Sequence, residues 1–152
     1  MAKRRKSWRE KLERKQEPKL VDDPKGRGKM LVPTPMLVNR LVHKIPQGKL
    51  VTVAQIREKL AEDFKADLTC PLTTGIFLRI VAEAAEEDLK DGRRNVAPYW
   101  RVVKSDGSLN EKFPGGVEAQ AKHLEREGYT IIPAKGKKPP QVKDFEKYLL
   151  KL

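Results

Sequence analysis

The sequence predicts a mainly α fold: a winged helix-turn-helix with a short β-hairpin wing and basic arms at both ends. Three observations predict it. Successive segments repeat apolar residues at helical spacing. Two of them adjoin across a short connection, and the second opens with the small polar residues Thr73, Thr74 and Gly75. A β-prone run, Trp100–Val103, then leads into a Ser105-Asp106-Gly107 turn and Leu109, the pattern of a hairpin.

Residues 3–16 place Trp8, Leu12 and Gln16 in a thin apolar stripe among charges, a helix that needs a surface to dock on. Residues 17–35 are rich in Pro, Gly and Lys and read as a linker. From Pro35, the residues Met36, Leu37, Leu41, Val42 and Ile45 follow helical spacing until Pro46-Gln47-Gly48. Thr52 is placed to cap a helix with Ile56, Leu60 and Phe64 on one face. Pro71 opens the next helix, with Ile76, Phe77, Ile80, Val81, Ala84 and Ala85, which stops at Gly92. This pair fits a helix-turn-helix, and a small helical bundle gives the same pattern.

After the hairpin, Val117–Glu127 is a helix with Val117, Ala121 and Leu124 inward and Gly128 at its C-terminus. Residues 131–140 read as a tail and 141–152 as a final amphipathic helix. The expected division is a basic arm and linker over 1–34, a winged-helix domain over 35–132, and a basic tail with a short helix over 133–152.

The charge is distributed to match. The chain of 152 residues, enough for one domain, has a formal net charge of +12. Residues 1–29 hold +7 of it and residues 135–152 hold +4, so the centre is close to neutral. Basic arms attract polyanions through counterion release, and nucleic acid is the usual one; solubilising tails are the alternative. One cysteine, Cys70, leaves no internal disulfide, and two distant histidines offer no zinc spacing. No metal or cofactor is expected. No apolar run has the length of a membrane span, and the basic start lacks the apolar core of a secretory signal. A cytoplasmic monomer with no membrane partner is the expectation.

The stretches "IPQGKLVTVAQIREKLA", "LRIVAEAA", "PYWRVVKSDGSL" and "PGGVEAQAKHLEREG" occur in that order. Together they resemble the DNA-binding domain of the O6-alkylguanine-DNA alkyltransferases over about residues 36–130. The resemblance implies a recognition helix laid in the minor groove of double-stranded DNA, an arginine filling the gap of a flipped guanine, and a base pocket. In that pocket the cysteine of a Pro-Cys-His-Arg-Val motif accepts the alkyl group, activated by the histidine and a glutamate.

Here the motif reads Pro98-Tyr99-Trp100-Arg101-Val102. By resemblance Tyr99 stands at the cysteine, Trp100 at the histidine, Glu127 at the glutamate and Arg79 at the arginine. Phe113 falls on the pocket loop before Gly115-Gly116. The implied base pocket is therefore Tyr99, Trp100, Phe113 and Glu127, and the implied DNA contacts are Thr73, Thr74, Gly75, Arg79 and Arg101. A phenol ionises near pH 10 and an indole cannot act as a base, so no catalytic residue is expected. The resemblance points to the alkyltransferase-like branch, which lacks the cysteine and senses alkylated guanine for a repair partner.

Alternatives stay open on the sequence. Tyr99 and Trp100 either stack a flipped base or fill the old pocket. The acidic residues Glu83, Glu86, Glu87 and Asp88 would repel phosphates if they faced a groove, an objection that the basic arms could offset. A repurposed module that binds RNA or a protein partner is a second reading. Cys70, near a helix N-terminus, is either a displaced nucleophile or a small buried side chain. His123 reads as a helix-surface residue.

Overall fold

The computed structural model of the chain describes residues 7–152. Residues 3–6 of the first expected helix lie outside the described residues. Among those described, the five α-helices are α1 (Trp8–Glu13), α2 (Pro35–His43), α3 (Val53–Asp63), α4 (Pro71–Lys90) and α5 (Gly116–Arg126). The strands are short: β1 (Lys19–Asp22), β2 (Lys29–Val32), β3 (Val51–Thr52), β4 (Leu68–Thr69), β5 (Val102–Val103), β6 (Ile131–Ile132) and β7 (Gln141–Val142). They form one three-stranded sheet, β1-β2-β4, and two pairs, β3-β5 and β6-β7.

The helices start where local chemistry allows. Ser7 accepts the Glu10 N–H at α1, and Thr34 accepts the Leu37 N–H at α2 ahead of Pro35. Thr52 and Gln55 form a reciprocal capping box at α3. Pro71 opens α4, where a missing N–H removes no helical bond. The inward face of α4 is Thr74, Leu78, Val81, Ala82, Ala84 and Ala85, whereas Ile76, expected inward, is half exposed. A second apolar set, Leu72 and Ile76, thus points away from the core along the first turns of the helix.

The main core gathers Leu12 of α1, Leu31 of β2, Val38 and Val42 of α2, Ile56 and Leu60 of α3, and Leu78 and Val81 of α4. Tyr99 and Phe113 belong to it. A smaller core behind it joins Leu50, Val103, Leu109, Leu124, Tyr129 and Val142.

Three expectations are corrected. Residues 17–35 are not a linker: β1 and β2 pair antiparallel, and β2 pairs parallel with β4. The Pro and Gly residues there are turn chemistry. Asp23 receives the Arg27 N–H and its Nε, at 3.1 and 2.6 Å, across the turn, and Leu31 between the two partner strands is fully buried. Second, Val102–Val103 does not pair with a following hairpin strand. It pairs parallel with Val51–Thr52. The Ser105-Asp106-Gly107 turn does form, closed by the Lys104 N–H on Ser108 O at 2.9 Å, but Ser108 continues into a bridge with Gln141. Third, the C-terminal segment is not an α-helix. It gives β7, a 3-10 turn at Phe145–Tyr148, and an extended bridge from Leu149 to Leu50. Burying Phe145, Tyr148 and Leu149 against the second core wins over helical periodicity there.

Candidate nucleic-acid interface

Pro98 bends the chain into a single 3-10 turn, Tyr99–Arg101, between α4 and β5. This turn sends Tyr99 into the core and brings Trp100 and Arg101 together on Glu127. Tyr99 turns fully inward, 0% exposed. Its ring meets Phe113, Trp100 and His123 edge-on, with centroids 5.1, 5.3 and 6.0 Å away. Its hydroxyl donates to Glu86 Oε1 at 2.6 Å. Burial first, then that bond and the Glu86 charge, push the phenol well above its ordinary ionisation range.

Trp100 lies flat on His123, with centroids 4.1 Å apart and planes 10° from parallel. Its Nε1–H donates to Glu127 Oε2 at 3.1 Å. Arg101 grips the same carboxylate through Nε at 2.9 Å and Nη2 at 2.5 Å, and donates through Nη1 to Ile45 O at 2.6 Å. Both side chains of this pair are 12% exposed. Gln120, fully buried on α5, locks the assembly from behind. It donates to Trp100 O and Val102 O and accepts the Asn110 N–H.

A model of the 6-O-methylguanine DNA methyltransferase DNA-binding domain matches residues 35–129. The chain belongs to this family. Two structures share its fold at TM-scores just above one half. S. pombe Atl1, in complex with damaged DNA containing O6-carboxymethylguanine, is 21% identical at a TM-score of 0.51. S. pombe ATL, in complex with DNA, is 22% identical at 0.53. Each comparison covers 78% of this chain and 94% of the other. No curated protein sequence matches the chain. The segments α1 and β1-β2, and the chain from Thr130 onward, lie outside the family match.

Within this family fold, the four residues assigned to the base pocket come together: Tyr99, Trp100, Phe113 and Glu127 share one cluster. Sequence reasoning missed two further members, Glu86 and His123, whose side chains meet at 2.8 Å. Helical position gave no signal for Glu86: seven residues after Arg79, it falls on nearly the same helix face as that exposed arginine.

The residues assigned to DNA contact divide. Gly75 and Arg79 are exposed on α4, and Thr73 is half-buried. Thr74 is fully buried, its hydroxyl donating to Cys70 O at 2.7 Å, and Arg101 turns inward onto Glu127. Those two side chains are therefore structural here, because each satisfies a buried acceptor.

Exposed residues of α4 line a groove of about 800 Å³ between that helix, α1 and the loop 104–112. Leu72, Ile76 and Arg79 of α4 line it, together with Lys11, Lys104 and Lys112. The acid-rich end of α4 faces elsewhere. Glu83 lies 3.9 Å from Arg79 and Glu86 holds Tyr99 and His123. Glu87 accepts two α1 N–H groups, and Asp88 lies near Arg9 and Arg93. Glu86 and Glu87 are thus taken up by contacts within the fold, and Glu83 and Asp88 lie near surface arginines.

Proposed function

We propose that this protein is a non-catalytic double-stranded-DNA-binding member of its family, acting in alkylation-damage recognition. The observation that carries the non-catalytic part is Tyr99, buried at the position assigned to the nucleophile, with its proton held by Glu86. Trp100 beside it offers only an N–H and has no basic nitrogen to take a proton. Cys70 is a separate position: it sits at the start of α4, away from the cluster around Tyr99, where burial opposes its ionisation but hydrogen bonds at Thr73 and Leu72 outweigh that and lower its pKa, so the mass measurement below tests it as well.

The DNA-binding part rests on the groove along α4. The first turns of α4 act as the recognition element in the minor groove, with the 104–112 loop as the wing. Arg79 enters the duplex and Lys104 and Lys112 neutralise flanking phosphates. Tyr99 fills its own pocket, so an extrahelical alkylated base meets the groove beside Arg79 and Ile76 instead. The domain expected over residues 35–132 supplies α4 and the 104–112 loop to this groove.

Fluorescence anisotropy at fixed salt tests this. A duplex containing O6-methylguanine is expected to bind more tightly than a plain one. Arg79→Ala and Lys112→Ala each weaken binding and make the salt slope shallower by about one. Equal affinities for the two duplexes, unchanged by Arg79→Ala, would remove lesion recognition from the reading. Intact mass after incubation with alkylated DNA is expected to show no added alkyl group.

A second reading, docking of a protein partner, is favoured by Leu72 and Ile76, which are 71% and 49% exposed on the same helix. Leu72→Ser separates the two: it removes an apolar docking contact but adds no charge, so the salt slope of duplex binding is expected to be unchanged.

A further inference from the structure

Residues 131–140, expected as a tail, fold with β7 into a β-hairpin. Ile131 pairs with Val142 and Ile132 with Gln141, and the same register reaches Lys135 opposite Lys138. The Lys135 N–H donates to Lys138 O at 3.1 Å and the Lys138 N–H to Lys135 O at 3.0 Å. Gly136 and Lys137 alone turn the chain. Gly136 has φ +59°, the left-handed conformation that such two-residue turns need and glycine supplies. The base of the hairpin is fixed, with Val142 buried in the second core and Ile131 packed against it. The tip stands about 10 Å beyond Ile132 at the rise of a strand. Lys135, Lys137 and Lys138 are all exposed there.

The charge at the tip works against the hairpin. Like charges directly opposite each other on two strands are destabilising, and Lys135 and Lys138 are such a pair. From Thr130 to Lys143 the chain carries Lys135, Lys137, Lys138 and Lys143 and no Asp or Glu. Among the described residues, none of these lysines is in an ion pair. An anion bound at the tip would relieve the repulsion.

The hairpin is joined to the groove along α4. On its other edge, β7 pairs with residues 107–109. The Val142 N–H donates to Gly107 O at 3.0 Å, the Leu109 N–H donates to Pro140 O at 2.9 Å, and Gln141 Nε2 donates to Asp106 O. The bridge of Ser108 to Gln141 is antiparallel, so the chain that continues past Leu109 leaves this sheet in the direction of the hairpin tip. That chain carries Lys112 of the groove, and the turn before it carries Lys104.

We propose that the β6-β7 hairpin is a second, basic wing, whose Lys135, Lys137 and Lys138 contact phosphates of the duplex held at α4. It lies beyond the family-matched residues 35–129. The inference rests on the duplex-binding reading above and lengthens its footprint along the phosphate backbone. Exposed cations on a fixed turn suit that partner, because phosphate contacts give affinity and register without reading sequence.

The experiment is the salt dependence of plain-duplex affinity for the full chain and three variants. In the first, Lys135, Lys137 and Lys138 are replaced together by alanine. Its slope of log K against log salt is expected to be shallower by up to about 2.7, at about 0.9 per lost phosphate contact. The second, Gly136→Val, keeps every charge. A side chain at Gly136 meets nothing within 4 Å, so the substitution strains only the turn. It is expected to lose affinity. The third, Gly136→Asn, tolerates the left-handed conformation and is expected to bind like the parent. If the parent binds duplex and the three-alanine variant matches it in slope and affinity, the inference is overturned and the groove reading stands. If the three-alanine variant is weaker but Gly136→Val binds like the parent, the lysines act as loose charge and the wing is overturned. A single-stranded RNA that binds the parent more tightly than the duplex, with the same loss in the three-alanine variant, overturns duplex as the occupant. A parent chain that binds no duplex overturns the underlying reading, and this one with it.

Discussion

Tyr99 and His123 meet on a single oxygen, Oε1 of Glu86, at 2.6 and 2.8 Å. Three residues from three parts of the chain, α4, the 3-10 turn and α5, are joined by one carboxylate. That junction fills the position that the sequence resemblance assigns to a reacting thiol. It also converts an acidic residue of α4 from a repulsive surface charge into an interior acceptor.

Tyr99→Phe tests the junction directly. The ring still packs against Phe113, but the carboxylate loses a buried donor. A hydrogen bond to a charged group contributes about 1.5–3 kcal/mol. The expected result is a lower urea midpoint at an unchanged slope, the shift times the slope giving that free energy, since the native fold and its buried surface are kept. An unchanged midpoint would mean that water replaces the phenol at Glu86.

The junction also marks where the sequence was legible. Signals confined to a few neighbours were readable: Thr52 as a helix cap, Pro71 at the start of α4, and Gly128 after α5. The motif residues Tyr99, Trp100 and Glu127 were readable through resemblance. Pairings across long separations were not. Met30 with Leu68, or Val51 with Val102, place two-residue strands that no periodicity can announce. The Pro and Gly density of residues 17–35 signals turns equally well for a linker and for a hairpin, and only the burial of Leu31 decides between them. His123 reads as a surface residue because its helix position is amphipathic; its role comes from Glu86, 37 residues away.

The Arg101–Glu127 pair predicts a larger effect. Both side chains are mostly buried, and Glu127 also accepts from Trp100. Arg101→Met leaves an interior carboxylate with one neutral donor in place of a cation. Breaking such a pair costs about 3–5 kcal/mol. For a chain of this size that is roughly 6–20 °C in Tm. The double substitution Arg101→Met with Glu127→Leu is expected to recover part of the loss, because no charge is then left unpaired.

The β1-β2 turn predicts a pH response. The hydrogen bond from Arg27 holds the Asp23 carboxyl down to about 2, against an ordinary value of 3.8, with the Arg27 and Lys25 N–H groups adding to it. A depressed carboxyl stabilises the turn above its ordinary pKa, and the contribution is lost as pH falls from about 4 through 2. Amide exchange at Met30 and Leu31 is therefore expected to accelerate between pH 5 and pH 2, beyond the intrinsic change. In Asp23→Asn the same amides are expected to exchange faster at pH 5 and to lose most of that acid dependence.

The strongest prediction concerns what the site would need in order to react. Tyr99→Cys restores a thiol at the assigned position and opens space beside Phe113. It restores no base at the assigned position, because Trp100 can only donate, Glu127 is already held by Arg101, and His123 is stacked on Trp100 with its Nε2 on Glu86. A buried thiol next to the Glu86 carboxylate is held in its neutral form by desolvation and like charge. Tyr99→Cys alone is therefore expected to gain no alkyl mass from O6-methylguanine DNA. Adding Trp100→His supplies a ring nitrogen where Glu127 already accepts a hydrogen bond, the arrangement that orients a histidine to deprotonate a neighbouring thiol. The double variant is expected to show slow gain of one methyl group, read by intact mass and located by peptide mapping. Transfer by Tyr99→Cys alone would show that Trp100 does not block the chemistry. No transfer in the double variant, despite duplex binding, would show that the alkylated base does not reach Tyr99's position and stays in the groove beside Arg79.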